Sequence, residues 1–277
     1  GATLAADIYG GVRLVLREGT RIRSTQIGLA ASIGRDHLPT RPHPRVVVLS
    51  AGPDLVEPGQ PLKNASDEYE TNSWLLTTAV REVGAVAYRV HSIPDNEEQL
   101  QKVIEDQLVR ADVIITACGM NAGDYDLLTN VLRQLGRIEI SRVNMTPGGA
   151  QGFGLIGPDS TPIFILPGNP VGALLSFDIF VRPLIRRLMG HSKLHHRVLE
   201  ARLETTVDGA GDDARYVRAH VSKSGNMRVV RSLENNNDHP LAGLGTADAL
   251  VVVPAGTARL HAGDTVKVIQ LDALSDE

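Results

Sequence analysis

Three uninterrupted apolar runs constrain this chain more than any other feature: Val46-Val47-Val48-Leu49, Val113-Ile114-Ile115 and Ile163-Phe164-Ile165-Leu166. A strand with one wet face alternates apolar and polar residues, so short continuous runs suit strands covered on both faces, as in a parallel sheet. Helical patterns separate them. Asn72 to Val83 carries Trp74, Leu75, Thr78 and Val83 near one face and stops at Gly84. Asp95-Asn96-Glu97-Glu98 opens a second helix bearing Leu100, Val103, Ile104 and Leu108, with Asp95 as its cap and acids at its positive end. A third spans Leu127 to Leu135, after a loop from Ala117 to Asp126, and a fourth runs from Pro170 toward Gly190. Ala85 to Val90 and Ile138 to Val143 read as further strands. Strands alternating with helices predict an α/β fold, a doubly wound and mostly parallel sheet.

The flanks have a different texture. Val12 to Leu16 is β-like, Ser24-Thr25-Gln26 caps a helix ending near Gly34, and the prolines at 39, 42 and 44 read as a linker, each fixing φ and removing a donor. The abrupt Gly1-Ala2-Thr3 opening is the basis for expecting a fragment of a longer protein. From His191, short β-like runs (Val198 to Val207, Tyr216 to Val221, Met227 to Val230, Ala249 to Val253, Thr265 to Ile269) predict a small C-terminal β-barrel. The expected organisation is 1–44 as remnant and linker, 45–190 as the α/β domain and 191–277 as the barrel domain.

The totals narrow the function classes. A net charge of −4 over 277 residues gives no broad basic field for nucleic acid, and no apolar run is long enough to insert in a membrane. A single cysteine, Cys118, excludes an internal disulfide and fits a reducing, cytoplasmic setting. The histidines have no metal-ligand spacing, and Walker A, nucleophile-elbow and complete dinucleotide fingerprints are absent.

Ligands of open α/β sheets bind beyond the carboxyl ends of the strands. The loops after Leu49, Ile93, Thr116, Val143 and Leu166 should therefore meet on one edge. Each alone has a bland reading. Asp54 in Ser50-Ala51-Gly52-Pro53-Asp54 is as good a turn acid as a metal ligand, and Asp95 is a helix cap. Gly119 and Gly123, before Asp124 and Asp126, offer backbone N–H groups to an anion, but such loops are common. Met145-Thr146-Pro147-Gly148-Gly149 can bring backbone close to a ligand. Leu166-Pro167-Gly168-Asn169-Pro170 makes a rigid strand-to-helix corner, with Pro170 in the first turn and N–H groups directed outward. Five on one edge favour a pocket more than any one does.

The order of Gly52 to Leu62, Tyr69-Glu70-Thr71-Asn72, Ala122-Gly123-Asp124-Tyr125-Asp126, Pro147-Gly148-Gly149, Leu166 to Pro170, Arg182-Pro183, Leu188-Met189-Gly190 and Ala249 to Pro254 resembles the molybdopterin molybdenumtransferase family, the group of MoeA and the gephyrin E domain. The resemblance implies a molybdopterin-binding α/β domain followed by a β-barrel, and loss of most N-terminal domains. It also implies a homodimer in the full-length form, and insertion of molybdate into adenylylated molybdopterin with Mg2+. Carried over by position, Asp54, Asp95 and Asp126 hold the metal, and Asp95 and Asp126 act in catalysis. Gly119, Gly123, Pro147, Gly148, Pro167, Gly168, Asn169, Pro170 and Arg218 bind the pterin.

This sequence departs from the family in the same loops. Ala117-Cys118-Gly119-Met120-Asn121 replaces the usual Ser-Gly-Gly-Val-Ser. Thr146-Pro147-Gly148-Gly149-Ala150 replaces Lys-Pro-Gly-Lys-Pro, and Arg142 stands where another lysine is common. Asn235 to Pro240 replaces a serine-rich barrel segment. Losing two cations from a phosphate site predicts weak or absent molybdate insertion. The alternative is a gephyrin-like scaffold that binds a peptide of a cytoskeletal cell-division protein or a membrane receptor.

Overall fold

The computed structural model describes residues 4–7, 12–51, 54–90, 96–118, 122–225, 227–234, 241 and 243–271. A hairpin of β1 (Leu4–Asp7) and β2 (Val12–Leu16) leads to α1 (Ser24–Ser32). The α/β unit then runs β3 (Arg45–Ala51), the short pair β4 (Leu55–Val56) and β5 (Glu68–Tyr69), α2 (Asn72–Glu82), β6 (Val86–Val90), α3 (Glu97–Leu108), β7 (Val113–Cys118) and α4 (Ala122–Leu135). It continues through β8 (Gly136–Arg142), β9 (Met145–Thr146), β10 (Ala150–Ile156), β11 (Thr161–Pro167) and α5 (Pro170–Ser176), then a π-helical turn (Phe177–Val181) and α6 (Arg182–Leu188). Beyond it come β12 (Val198–Leu203), β13 (Val207–Asp208), β14 (Ala214–Ser224), β15 (Met227–Ser232), β16 (Ala249–Val253), β17 (Arg259–Leu260) and β18 (Thr265–Gln270).

The apolar runs are buried on both faces, as expected. The central sheet has the order β6-β3-β7-β11-β10-β8. Its neighbours β6, β3, β7 and β11 are parallel, while β10 is antiparallel to both β11 and β8. Two reversals restore the direction, so β8 points the same way as β11. Alternation inside each run splits the core in two. Val46, Val48, Val113 and Ile115 pack with Leu76, Val80, Phe177 and Ile185 on one face. Val47, Leu49 and Ile114 pack with Leu100, Ile104, Leu128 and Leu132 on the other. This is a doubly wound α/β sheet.

The C-terminal strands close on themselves: β15-β12-β18-β16-β14, with β14 pairing back to β15. Leu199, Ala201, Val217, Ala219, Val251, Val266 and Val268 fill the interior from alternate positions, and closure leaves few edges to pair wrongly. No helix among the described residues is long and apolar enough to cross a membrane.

Three local expectations are corrected. Helix α4 begins at Ala122, so Gly123 and Asp126 lie inside a helix rather than a loop. Acids near a helix N-terminus complement its dipole and extend it. The cap of α3 is Asn96, whose side chain accepts from the Gln99 N–H at 3.2 Å, and not Asp95. Strand β10 was not anticipated, because Gly152 and Gly154 make its sequence look like a loop.

Candidate functional site

The carboxyl ends of β3, β6, β7, β11 and β8 lie along one edge, which brings the expected loops together. Residues 52–53, 91–95 and 119–121, following three of these strands, lie outside the described residues, and with them Asp95 and Gly119. The best-defined part is the meeting of the Pro147-Gly148 and Pro167–Gly172 loops. The Thr146–Pro147 peptide is cis, and Gly148 has φ +93°. A Cβ on Gly148 would sit 3.0 Å from Ser176 Oγ and 3.2 Å from Gly172 O. One on Gly172 would lie 3.3 Å from Gly148 Cα and 3.4 Å from Pro167 Cβ. The two loops therefore pack backbone to backbone, closer than a Cβ on either glycine would ordinarily sit.

Side chains clamp this junction. Gln151 Nε2 donates to Gly148 O and Ser176 Oγ, each at 2.5 Å. Asn72 Nδ2 donates to Gly168 O at 2.6 Å from the first turn of α2. Asn169 Oδ1 accepts from Val171 N at 2.9 Å and Gly172 N at 3.2 Å, with Pro170 at the start of α5. That capping corrects the sequence reading: these two amides turn back onto Asn169 instead of facing outward.

Beside it, Arg89 at the end of β6 anchors a charged cluster. Its Nη1 lies 2.6 Å from Glu57 Oε1, 3.5 Å from Glu70 Oε2 and 3.1 Å from Ser73 Oγ. The guanidinium stacks 4.2 Å from the Trp74 ring, and Trp74 Nε1 donates to Glu57 at 3.3 Å. Glu70 is 3% exposed and accepts from the Ser73 amide at 2.8 Å and from the Ser73 hydroxyl. Burying a carboxylate requires such partners. They pin the start of α2 and so place Asn72. Buried Asn72 Oδ1 has no hydrogen-bond partner among the described residues.

The structure thus brings together Pro147, Gly148, Pro167, Gly168, Asn169 and Pro170. Of the others, the described Asp54, Asp126 and Arg218 make contacts elsewhere. Half-buried Asp54 accepts from Ser66 Oγ at 3.3 Å. Asp126 is exposed, and its carbonyl accepts from Thr129. Arg218 stands on barrel strand β14, its Nε 3.9 Å from Glu234. No three metal-ligating side chains cluster among the described residues. Asn72, Gln151, Gly172 and Ser176 were missed by sequence reasoning. Only Asn72 carried a signal, as the last residue of Tyr69-Glu70-Thr71-Asn72.

The Met145–Gly149 loop is tied down on its other side. Met145-Thr146 forms β9, paired in parallel with Ala214 and Arg215 of the barrel sheet. Arg142 Nη2 reaches Asp213 at 2.6 Å. A large cavity of about 1480 Å³ lies elsewhere, walled by Arg41, Met189, Gly190 and neighbours. Met189 abuts Gly84, which precedes β6, so this cavity borders the opposite, amino-terminal edge.

Known proteins are similar to this chain in sequence and fold. Residues 47–187 match a probable molybdopterin binding domain, and residues 200–271 match the MoeA C-terminal region, domain IV. Molybdopterin molybdenumtransferase 1 of Mycobacterium tuberculosis is 35% identical over 260 residues, covering 92% of this chain and 61% of that protein. Gephyrin of Dictyostelium discoideum is 27% identical over 310 residues, covering 99% of this chain and 42% of its own. A solved molybdopterin biosynthesis MoeA protein from Pyrococcus horikosii superposes with a TM-score of 0.77 at 25% identity, covering 95% of this chain and 63% of that one. The chain spans less than two thirds of the length of each. With both family matches in the same order along the chain and the fold superposing on a MoeA protein, this chain belongs to the MoeA family.

Proposed function

We propose that the carboxyl edge binds molybdopterin and that the protein works in molybdenum-cofactor biosynthesis, with residues 45–190 as the pterin-binding unit and 191–277 as the barrel. The observation that carries this reading is the Gly148–Gly172 junction. It presents two rigid loops where an open α/β sheet receives ligands. The relatives named as molybdopterin molybdenumtransferases support the ligand class.

The reaction proposed for the longer protein is insertion of molybdate into adenylylated molybdopterin, with release of the adenylyl group. Here it is weak or absent. Thr146 and Gly149 supply no cation at the loop, and the nearby guanidinium of Arg142 is held by Asp213. Magnesium would call on Asp54, Asp95 and Asp126. A hard cation of this size needs only one or two carboxylates beside the phosphate oxygens of a bound substrate, and of these three Asp54 and Asp126 are among the described residues.

The same replaced lysines favour a second reading, a gephyrin-like homodimeric scaffold that has kept the framework and binds a partner peptide. Two measurements separate them. Molybdopterin titrated into the protein should bind, and Gly148→Val should abolish binding while circular dichroism stays native. Complementation of a strain lacking molybdate insertion should be poor. Robust rescue would overturn the weak-activity reading, and absence of pterin binding would overturn the site itself.

A further inference from the structure

Trp74, the single tryptophan of the chain, stands 50% exposed in the first turn of α2. A lone exposed apolar side chain is ordinary on a protein surface. Trp74 differs in being held fixed. The Arg89 guanidinium lies over one face of its ring, 4.2 Å from the centroid, and its Nε1–H donates to Glu57 Oε2 at 3.3 Å. Arg89 is itself fixed by Glu57 at 2.6 Å, by buried Glu70 at 3.5 Å and by Ser73 Oγ at 3.1 Å. Groups that follow β4 and β5, and others on α2 and β6, thus keep the indole in one plane. The half of the ring left in water is the side away from Arg89.

A flat ring that is already immobilised loses little freedom when a second ring stacks on it. The guanidinium on the covered face draws on the π electrons, so the open face is a poor seat for another cation and a good one for a neutral planar ring. That face offers about 100 Å², the footprint of one heterocycle. A stable protein interface needs roughly 800 Å² from each partner. The position also fits a ligand. Open α/β sheets bind at the carboxyl edge, where α2 begins and where Arg89 stands near the end of β6. In the sheet order β6 lies three strands from β11, about 14 Å at the usual spacing. Trp74 therefore marks a place apart from the loop that follows β11.

We infer that Trp74 is a stacking platform for a flat nitrogen heterocycle, of the kind found in a nucleobase or a pterin, at a subsite separate from the glycine-locked loops. It uses no contact with those loops, so it stands or falls apart from the function proposed above.

The residue is its own reporter, because all tryptophan emission of the chain comes from it. Titration with AMP, and separately with neopterin, should quench that emission saturably with at least one of them, and the tighter binder names the source of the ring. Ribose 5-phosphate, which has the sugar and phosphate of AMP without its ring, should leave the emission unchanged. By calorimetry, Trp74→Ala should weaken binding at least about fivefold, as losing one stacked base does. Trp74→Phe, which keeps a ring, should lose less. Circular dichroism checks folding, and Trp74→Leu, apolar but ringless, replaces the alanine variant if that one misfolds. Three results would overturn the assignment: no saturable quenching by either ring, equal quenching by ribose 5-phosphate, or parental affinity in the ringless variant. Molybdopterin binding without any ring on Trp74 would sink this subsite alone, and the reverse would sink only the function proposed above.

Discussion

Gly148 shows how one residue can fix a site. Its φ of +93° is strained for any side chain, and its Cβ position is already blocked by Ser176 Oγ and Gly172 O. Gly148→Ala should therefore cost about 1–3 kcal/mol, read as a lower urea midpoint at unchanged slope, and should weaken pterin binding. An unchanged midpoint would show that the loops can part freely. The glycine was recognisable from Pro147-Gly148-Gly149, but its partner was not. Gly172 reads as an ordinary helix residue until β11 and α5 bring it so near Gly148 that a Cβ added to it would lie 3.3 Å from the Gly148 backbone. Asn72 showed only as the end of Tyr69-Glu70-Thr71-Asn72, and its bond to Gly168 joins positions 96 residues apart.

Among elements, α5 depends on its cap and the sheet on a clip at its amino edge. Asn169→Ala removes the acceptor for two first-turn amides and should lower stability by about 1 kcal/mol, visible in chemical denaturation. No change there would mean water replaces the cap. Strands β3 and β7 are clipped by Arg45 and Asp112, whose carboxylate receives the Arg45 backbone N–H at 2.7 Å and its guanidinium at 3.1 Å. Burial pushes the Asp112 pKa up, but the hydrogen bonds and charge of Arg45 outweigh it and hold it below the ordinary value. Asp67 is lowered too, by the backbone N–H groups of Asn64 and Lys63. A carboxylate depressed on folding adds stability that is fully present above its unfolded pKa, about 4, and drains away as pH falls through the lower folded value. Asp112→Asn should therefore cost less than about 1 kcal/mol at neutral pH, the pair being half-exposed. The gap from the parent should close as pH drops below about 4. A gap independent of pH in thermal melts would refute the assignment.

Across the whole molecule, the sheet and the barrel share a seam. β9 leaves the α/β unit to pair with β14, and Met145, Leu175 and Leu250 bury one another beneath it. Met145→Ala should cost about 2–4 kcal/mol and, by loosening the seam, split one calorimetric unfolding transition into two. A single, simply lower transition would show that the units are coupled elsewhere. The sequence by itself determined the α/β sheet, the barrel and the identity of the corner loops, because burial on two faces, period-two alternation and Gly/Pro turns are local patterns written in adjacent residues. Tertiary structure alone decided the rest. Gly152 and Gly154 hide β10 because their missing side chains make room for Ile165 and Ile138 from neighbouring strands. The Arg89 cluster gathers Glu57, Glu70 and Ser73 from separate segments. Such contacts depend on how distant segments are brought together, and spacing along one chain carries little trace of that.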